Sequence, residues 1–219
     1  MDFYVPSYLE QDFDDILLSL GEDCTINFTS ATPILCKALI EDLDFKSNMK
    51  GLSDTSKLFT CSKSIDLKKG DYVTDTQNHI YLVNWFPFRA INCNKTQIQL
   101  CTVSLDFQRW TYAELDADGI ASTPASFIDI SLNTYGFVSR VNARAWMQNE
   151  GTIGIEASQT ILVGVQYNDD TKNLMVTDEF NYYGSQYMIY DIDYSQLNCT
   201  NVDGVLMLYC KIIDGDKHD

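Results

Sequence analysis

Apolar positions recur at helical spacing near the start of the chain and at strand spacing after it. Leu9, Phe13, Ile16, Leu17 and Leu20 lie on one helical stripe, and Ser7 with Glu10 three residues on forms a capping-box signature. Gly21 supplies the stop. The spacing predicts a helix within an N-terminal segment, residues 1–22, with Glu10, Gln11, Asp12, Asp14 and Asp15 on its outer face. Those acids sit toward the positive end of the helix dipole. Such a helix either packs on its own domain or docks on a neighbouring subunit.

Beyond Gly21, short runs rich in Ile, Val, Thr, Tyr and Phe are separated by Asn, Asp, Gly and Ser at intervals of roughly 8 to 12 residues, which is an all-β signal. The strands it predicts are Thr25–Thr29, Cys36–Leu43, Leu58–Ser62, Tyr72–Thr74, Ile80–Phe86 and Gln97–Leu105 in the first half. In the second half they are Ser139–Trp146, Thr160–Tyr167, Leu174–Val176, Gln186–Asp193 and Gly204–Ile213.

One hairpin occurs twice. Gly70 to Cys93 reads G-D-Y-V-T-D-T-Q-N-H-I-Y-L-V-N-W-F-P-F-R-A-I-N-C, and Asp178 to Cys199 reads D-E-F-N-Y-Y-G-S-Q-Y-M-I-Y-D-I-D-Y-S-Q-L-N-C. Tyr81 is followed by Leu82 and Val83 and, twelve positions on, by Cys93 after Asn92; Tyr187 is followed by Met188 and Ile189 and, twelve on, by Cys199 after Asn198. Val73 precedes Tyr81 by eight residues and Phe180 precedes Tyr187 by seven, a change that a tight turn absorbs. Cys101 and Cys210 end the apolar strands that follow. A period of about 106 residues fits a duplicated domain rather than a solenoid, whose repeats run about 20 to 50 residues. The fold class expected is mainly all-β: two related small β-barrel domains and one N-terminal helix. The first barrel is placed at 23–115, a linker at the turn-rich stretch 116–124, and the second barrel at 125–219.

Length and charge narrow the function classes. At 219 residues and 45% hydrophobic content the chain can bury one large or two small cores. A formal net charge of −16 repels phosphate backbones and anionic lipid, so no membrane partner is expected, and DNA only as passing cargo. No run approaches the ~20 apolar residues of a membrane span, and Met1-Asp2-Phe3 lacks a basic signal-peptide start. A soluble protein is expected. The seven cysteines, Cys24, Cys36, Cys61, Cys93, Cys101, Cys199 and Cys210, form no C-x-x-C and read as buried, reduced thiols.

Candidate chemistry is sparse. Only His79, in a hairpin tip, and His218, in the tail, could serve as imidazole bases. Glu114, Asp116, Asp118 and Gly119 match the opening of a calcium loop, but Ala125 stands where the bidentate Glu belongs. Asp191 and Asp193 alternate along a strand and read as a solvated face. Asn27, Asn94 and Asn198 each begin an N-x-Thr triplet, read as a product of composition. Gly151–Ile155 is too short for a dinucleotide fingerprint. No catalytic, cofactor-binding or metal site is assigned, no cofactor is expected, and the chain reads as a non-enzyme. Trp85, Phe86, Phe88, Trp110, Tyr112 and Trp146 are expected in cores, domain interfaces or subunit contacts.

A strand ending in G-D-x-V, a turn, then x-Y-x-V and an apolar strand resembles the phage head-closure, or stopper, proteins of the head–tail joining families. Gly70, Asp71, Val73, Tyr81, Val83 and Ile98–Leu105 carry that resemblance over residues 58–105. It implies a β-barrel that assembles with itself into a six- or twelve-fold ring, contacts portal, adaptor and tail proteins, and seals the DNA-filled head at the neck of the virion after assembly in the host cytoplasm. A member has about one barrel; here the second copy opens with Asp178-Glu179-Phe180 in place of Gly-Asp. The alternatives are a tail-terminator or baseplate adaptor ring, or a carbohydrate- or peptide-binding β module.

Overall fold

A computed structural model describes residues 7–42, 55–115, 118, 121–140, 160–198 and 203–213. The chain divides into two compact units, Met1–Cys101 with Leu197–Val205, and Thr102–Gln196 with Leu206–Asp219.

The first unit holds α1 (Ser7–Leu20), β1 (Glu22–Ile26), β2 (Ile34–Asp42), β3 (Ser56–Ser62), β4 (Tyr72–Thr74), β5 (Ile80–Val83), β6 (Phe88–Arg89) and β7 (Cys93–Leu100). The sheet runs β3-β2-β1-β4-β5-β7, and β3 also pairs with β7, so six strands close into a barrel with the two-residue β6 appended to β7. Alternation along each strand turns Cys24, Ile26, Ala38, Phe59, Cys61, Val73, Tyr81, Val83 and Ile98 into one core. The predicted helix is present, and its end is fixed by the Gly21 N–H donating to the Leu17 carbonyl at 2.8 Å. Of its apolar stripe, Leu17 is 2% exposed, but Ile16 and Leu20 are 45% and 74% exposed. Among the described residues the helix packs chiefly on β2 and β3, and Leu17 is its buried anchor.

The second unit holds β8 (Val103–Thr111), β9 (Glu114–Leu115), β10 (Ala121–Thr123), β11 (Ser126–Arg140), β12 (Thr160–Gln166), a 3-10 turn (Thr171–Asn173), β13 (Glu179–Tyr182), β14 (Ser185–Asp193) and β15 (Val205–Ile212). Its barrel closes in the order β11-β12-β15-β14-β13-β8. Leu105, Phe107, Val163, Val165, Phe180, Ile189, Leu206, Leu208 and Cys210 are buried there.

The two rings have one connectivity. Matching β1, β2, β3, β4, β5 and β7 in turn to β8, β11, β12, β13, β14 and β15 preserves every neighbour around both barrels. The registers agree as well: Val73 stands opposite Tyr81 in β4–β5, and Phe180 opposite Tyr187 in β13–β14. Duplication read from those four residues is therefore expressed in the fold. The cysteines are not equivalent, however. Val83 faces Ile98 and Ile189 faces Cys210, so Cys210 corresponds to Ile98 and not to Cys101; Cys199 lies outside the described residues.

Several boundaries differ from expectation. The units divide at Cys101/Thr102 instead of 116–124, because Val103–Thr111 pairs with β11 along its length. The D-A-D-G-I-A-S-T-P stretch contains β10, which pairs with β9 as a hairpin; residues 116, 117, 119 and 120 within it lie outside the described residues. The single strand predicted over Gln97–Leu105 is two strands, β7 and β8. Leu174–Val176 is a turn entering β13, and β11 extends far N-terminal of Ser139.

Candidate functional site

The repeated hairpin is anchored in each barrel by one backbone device. In the first unit the Gly70 N–H donates to the Val83 carbonyl (2.8 Å), the Val83 N–H to the Asp71 carbonyl (2.9 Å) and the Asp71 N–H to the Lys68 carbonyl (3.2 Å). In the second the Thr177 N–H donates to Ile189 (2.8 Å), the Ile189 N–H to Asp178 (2.9 Å) and the Asp178 N–H to Met175 (3.1 Å). Each aspartate then accepts at Oδ2 from the backbone N–H three residues before it, Lys68 at 2.7 Å and Met175 at 2.8 Å. Gly70 and Thr177 both have positive φ, 94° and 85°. The counterpart of Gly70-Asp71 is thus Thr177-Asp178: the second copy keeps the aspartate and replaces only the glycine, one residue before the expected position.

The partners of the two carboxylates differ. Asp71, 8% exposed, accepts at Oδ1 from Asn27 Nδ2 at 2.8 Å, while Asn27 Oδ1 accepts from the Tyr72 N–H at 3.0 Å. Burial raises the Asp71 pKa above the usual carboxylate value, opposed by the Asn27 and Lys68 N–H groups. Asp178 is fully buried and held by Arg109, Nε at 2.6 Å from Oδ1 and Nη2 at 2.9 Å from Oδ2, a bidentate pair. Arg109 Nη2 also donates to the Asn173 carbonyl at 2.7 Å. Gly70 also permits a close backbone approach, since a Cβ there would sit 2.2 Å from the carbonyl oxygen of Gly204. Lys68 reaches Asp203 of the same segment at 3.4 Å. In this structure these residues hold the turn that enters β4.

A cluster of exposed apolar side chains lies on the loop between β5 and β7. Trp85, Phe86, Phe88 and Ile91 are 61%, 54%, 67% and 60% exposed, so of the settings expected for these aromatics, core, domain interface or subunit contact, the core is not the one that Trp85, Phe86 and Phe88 occupy. The loop is nonetheless braced. Thr96 Oγ1 donates to the Trp85 carbonyl (2.8 Å), the Ala90 N–H donates to the Cys93 carbonyl (2.8 Å), β6 pairs with β7, and the ammonium of buried Lys69 lies 4.6 Å from the Phe86 ring centre. A fixed backbone carrying four large apolar side chains into solvent is the composition of an interaction patch rather than of a core. In the second unit Tyr112 is 82% exposed, and half-buried Trp110 packs edge-on against Phe127 at 4.9 Å.

Several other candidate residues have local hydrogen-bond partners. His79 Nδ1 lies 2.9 Å from Asp75 Oδ2, and the N–H groups of Gln77 and His79 both donate to Asp75 Oδ1 at 2.8 Å. Burial raises the Asp75 pKa, but the His79 and backbone hydrogen bonds outweigh it and leave the carboxyl lowered. Asn94 is 1% exposed and donates to the Ile65 carbonyl at 2.6 Å; Asn198 Nδ2 donates to Asp203 at 3.3 Å. Asp191 and Asp193 accept from the nearby N–H groups of Ile192 and Ser195. Glu114 lies on β9 and Asp118 in a turn. Asp116, Gly119, Trp146, Gly151–Ile155 and His218 lie outside the described residues. Among the described residues, no group of three or more His, Cys, Asp or Glu could hold a metal ion, and no helix is long and apolar enough to cross a membrane.

Fold and surface together define a tandem β-barrel protein built on a duplicated six-stranded ring. Residues 141–211 match the model of the YomX C-terminal domain, a phage-associated family, and this supports a phage protein. The match spans about a third of the chain and takes in β12, β13, β14 and all but the last residue of β15, omitting β8 and β11. No curated protein and no solved structure matches the chain.

Proposed function

We propose that the chain is a non-enzymatic structural protein of a phage particle, a subunit of the head-closure ring that seals the filled head and joins it to the tail. The observation that carries this reading is the braced, solvent-facing patch of Trp85, Phe86, Phe88 and Ile91 on a rigid barrel. Subunit interfaces draw their binding energy from such aromatic anchors. The match to a phage-associated family supports the setting, and the −16 charge suits a conduit through which DNA slides without sticking.

The test is where the protein sits and how it assembles. Antibody labelling of purified particles should mark the neck, and native mass spectrometry should give multiples of six. Disrupting the gene should leave filled heads that leak or lack tails. Label at the distal tail would transfer the protein to a terminator or baseplate ring, and its absence from particles would sink the proposal. The exposed rings also favour a second reading, a carbohydrate-binding module with Trp85 and Phe88 as a stacking platform; a monomer that binds an oligosaccharide array would establish it in place of the ring.

A further inference from the structure

We propose that Cys24 and Cys36 are a cross-strand thiol pair that closes into a disulfide on reaction with a small disulfide oxidant such as glutathione disulfide. In the β1–β2 register Cys24 stands directly opposite Cys36. Residues so placed share one face of the sheet and have Cα atoms ~4.5 to 5.5 Å apart, inside the ~4.4 to 6.8 Å that a disulfide bridges. Both are free thiols, Cys24 buried and Cys36 half-buried. Both line an open cavity of about 570 Å³ with Asp23, Lys37, Thr74 and Asp75, which gives one tripeptide moiety of the reagent a way in. Cys61, on β3 opposite Ala38, is the competing thiol, and it is fully buried.

Burial pushes the Cys24 thiol up to about 12, with the neighbouring Cys36 the next cause; burial pushes Cys36 to about 11. Cys36, the more acidic and more exposed, is therefore the attacking group, and exchange is slow at neutral pH because roughly one Cys36 in ten thousand is thiolate. Its thiolate attacks one sulfur of glutathione disulfide and expels glutathione thiolate, leaving a mixed disulfide. Cys24, giving up its proton, then attacks the Cys36 sulfur and expels the second glutathione. The pair loses two electrons and two protons, and both end on the two glutathione thiols. Closure ties β1 to β2 across a loop of roughly a dozen residues. The bond itself is independent of the particle assignment. Only its timing rests on that reading, with thiols in the host cytoplasm and a disulfide in the released particle.

The experiment holds the purified full-length protein with glutathione disulfide at about pH 9, then alkylates, digests and maps it by mass spectrometry. A Cys24–Cys36 linked peptide should dominate and vanish with reductant, and Tm should rise by about 5 °C. Cys61→Ser should keep both effects and Cys36→Ser should lose both; should either variant fail to fold, the wild-type map alone decides. Stable glutathione adducts on Cys36 with Cys24 still free would overturn the proposal, as would a Cys36–Cys61 link that persists in Cys24→Ser. Neither outcome touches the particle reading, which labelling tests separately.

Discussion

Asp71 and Asp178 occupy one position in two barrels, and the chain solves the same problem at each with different chemistry. Each carboxylate must be buried to cap the turn that launches the second meander of its barrel. In the first barrel an amide, Asn27, supplies one neutral hydrogen bond, and the carboxyl's pKa rises. In the second a guanidinium supplies charge and two hydrogen bonds. The cores diverge in parallel. Ile26, Val73 and Tyr81 line the first, while in the second Phe107 packs on Phe180 at 5.1 Å and Phe180 stacks on Tyr187 at 5.8 Å. What is held constant is the backbone hydrogen-bond pattern; side chains have changed wherever another group could satisfy the same buried atoms.

The largest break in this comparison should come from Arg109→Ala, which removes the counter-charge of buried Asp178 and leaves it the hydrogen bond from the Met175 N–H. A loss of about 3 to 5 kcal/mol is expected, confined to the second barrel, and urea unfolding followed at Trp110 measures it. Gly70→Ala should follow at about 3 kcal/mol in the first barrel, since it adds positive-φ strain to a Cβ that would lie 2.2 Å from the Gly204 oxygen. Trp85 fluorescence reports that unit. The reciprocal change runs the other way. Thr177→Gly should stabilise the second barrel by about 1 kcal/mol, because a threonine at φ 85° carries strain that glycine does not; an unchanged midpoint would mean that contacts of the Thr177 side chain offset its strain.

The smallest effect is a pH slope. Because the folded pKa of Asp71 is raised above its ordinary value of 3.8, the native state holds the proton more tightly than the unfolded chain. Its stabilising contribution is present below that ordinary value and is lost as pH climbs through the raised one. Asp71→Asn should flatten this slope, seen as a first-barrel urea midpoint that no longer falls with rising pH across the window. The second barrel's midpoint should follow the same pH course in wild type and variant.

How far the sequence revealed these features depended on what varied between the copies. Val73–Tyr81 and Phe180–Tyr187 were legible because the cross-strand pair is kept and only the turn changed length. Asp178 was hidden as the partner of Asp71 because the glycine before it had become Thr177, so the G-D signal disappeared while its geometry did not. The matched Asn-Cys pairs misled: Cys93 opens β7, whereas Cys199 precedes β15, and a register shift between Ile189 and Asp191 alters the pairing with β15. Only Cys101 and Thr102 separate β7 from β8, so the apolar pattern runs through both as one strand. Exposure of Trp85 and Phe88 could not be read at all, since a run of aromatics looks alike whether a barrel buries it or a braced loop lifts it into water. Neither aspartate's partner was foreseeable, because Asn27 and Arg109 meet their carboxylates only through pairing across the barrels.

Leu197–Val205, which carries Asp203 and Gly204, is counted with the first unit although the residues on both sides of it belong to the second. The polypeptide therefore passes between the units three times, and no single cut in the gene yields one complete unit apart from the other. Recombination that exchanged either half at a simple junction would leave one ring short of a segment it packs against. The duplicated halves are thus a single heritable block.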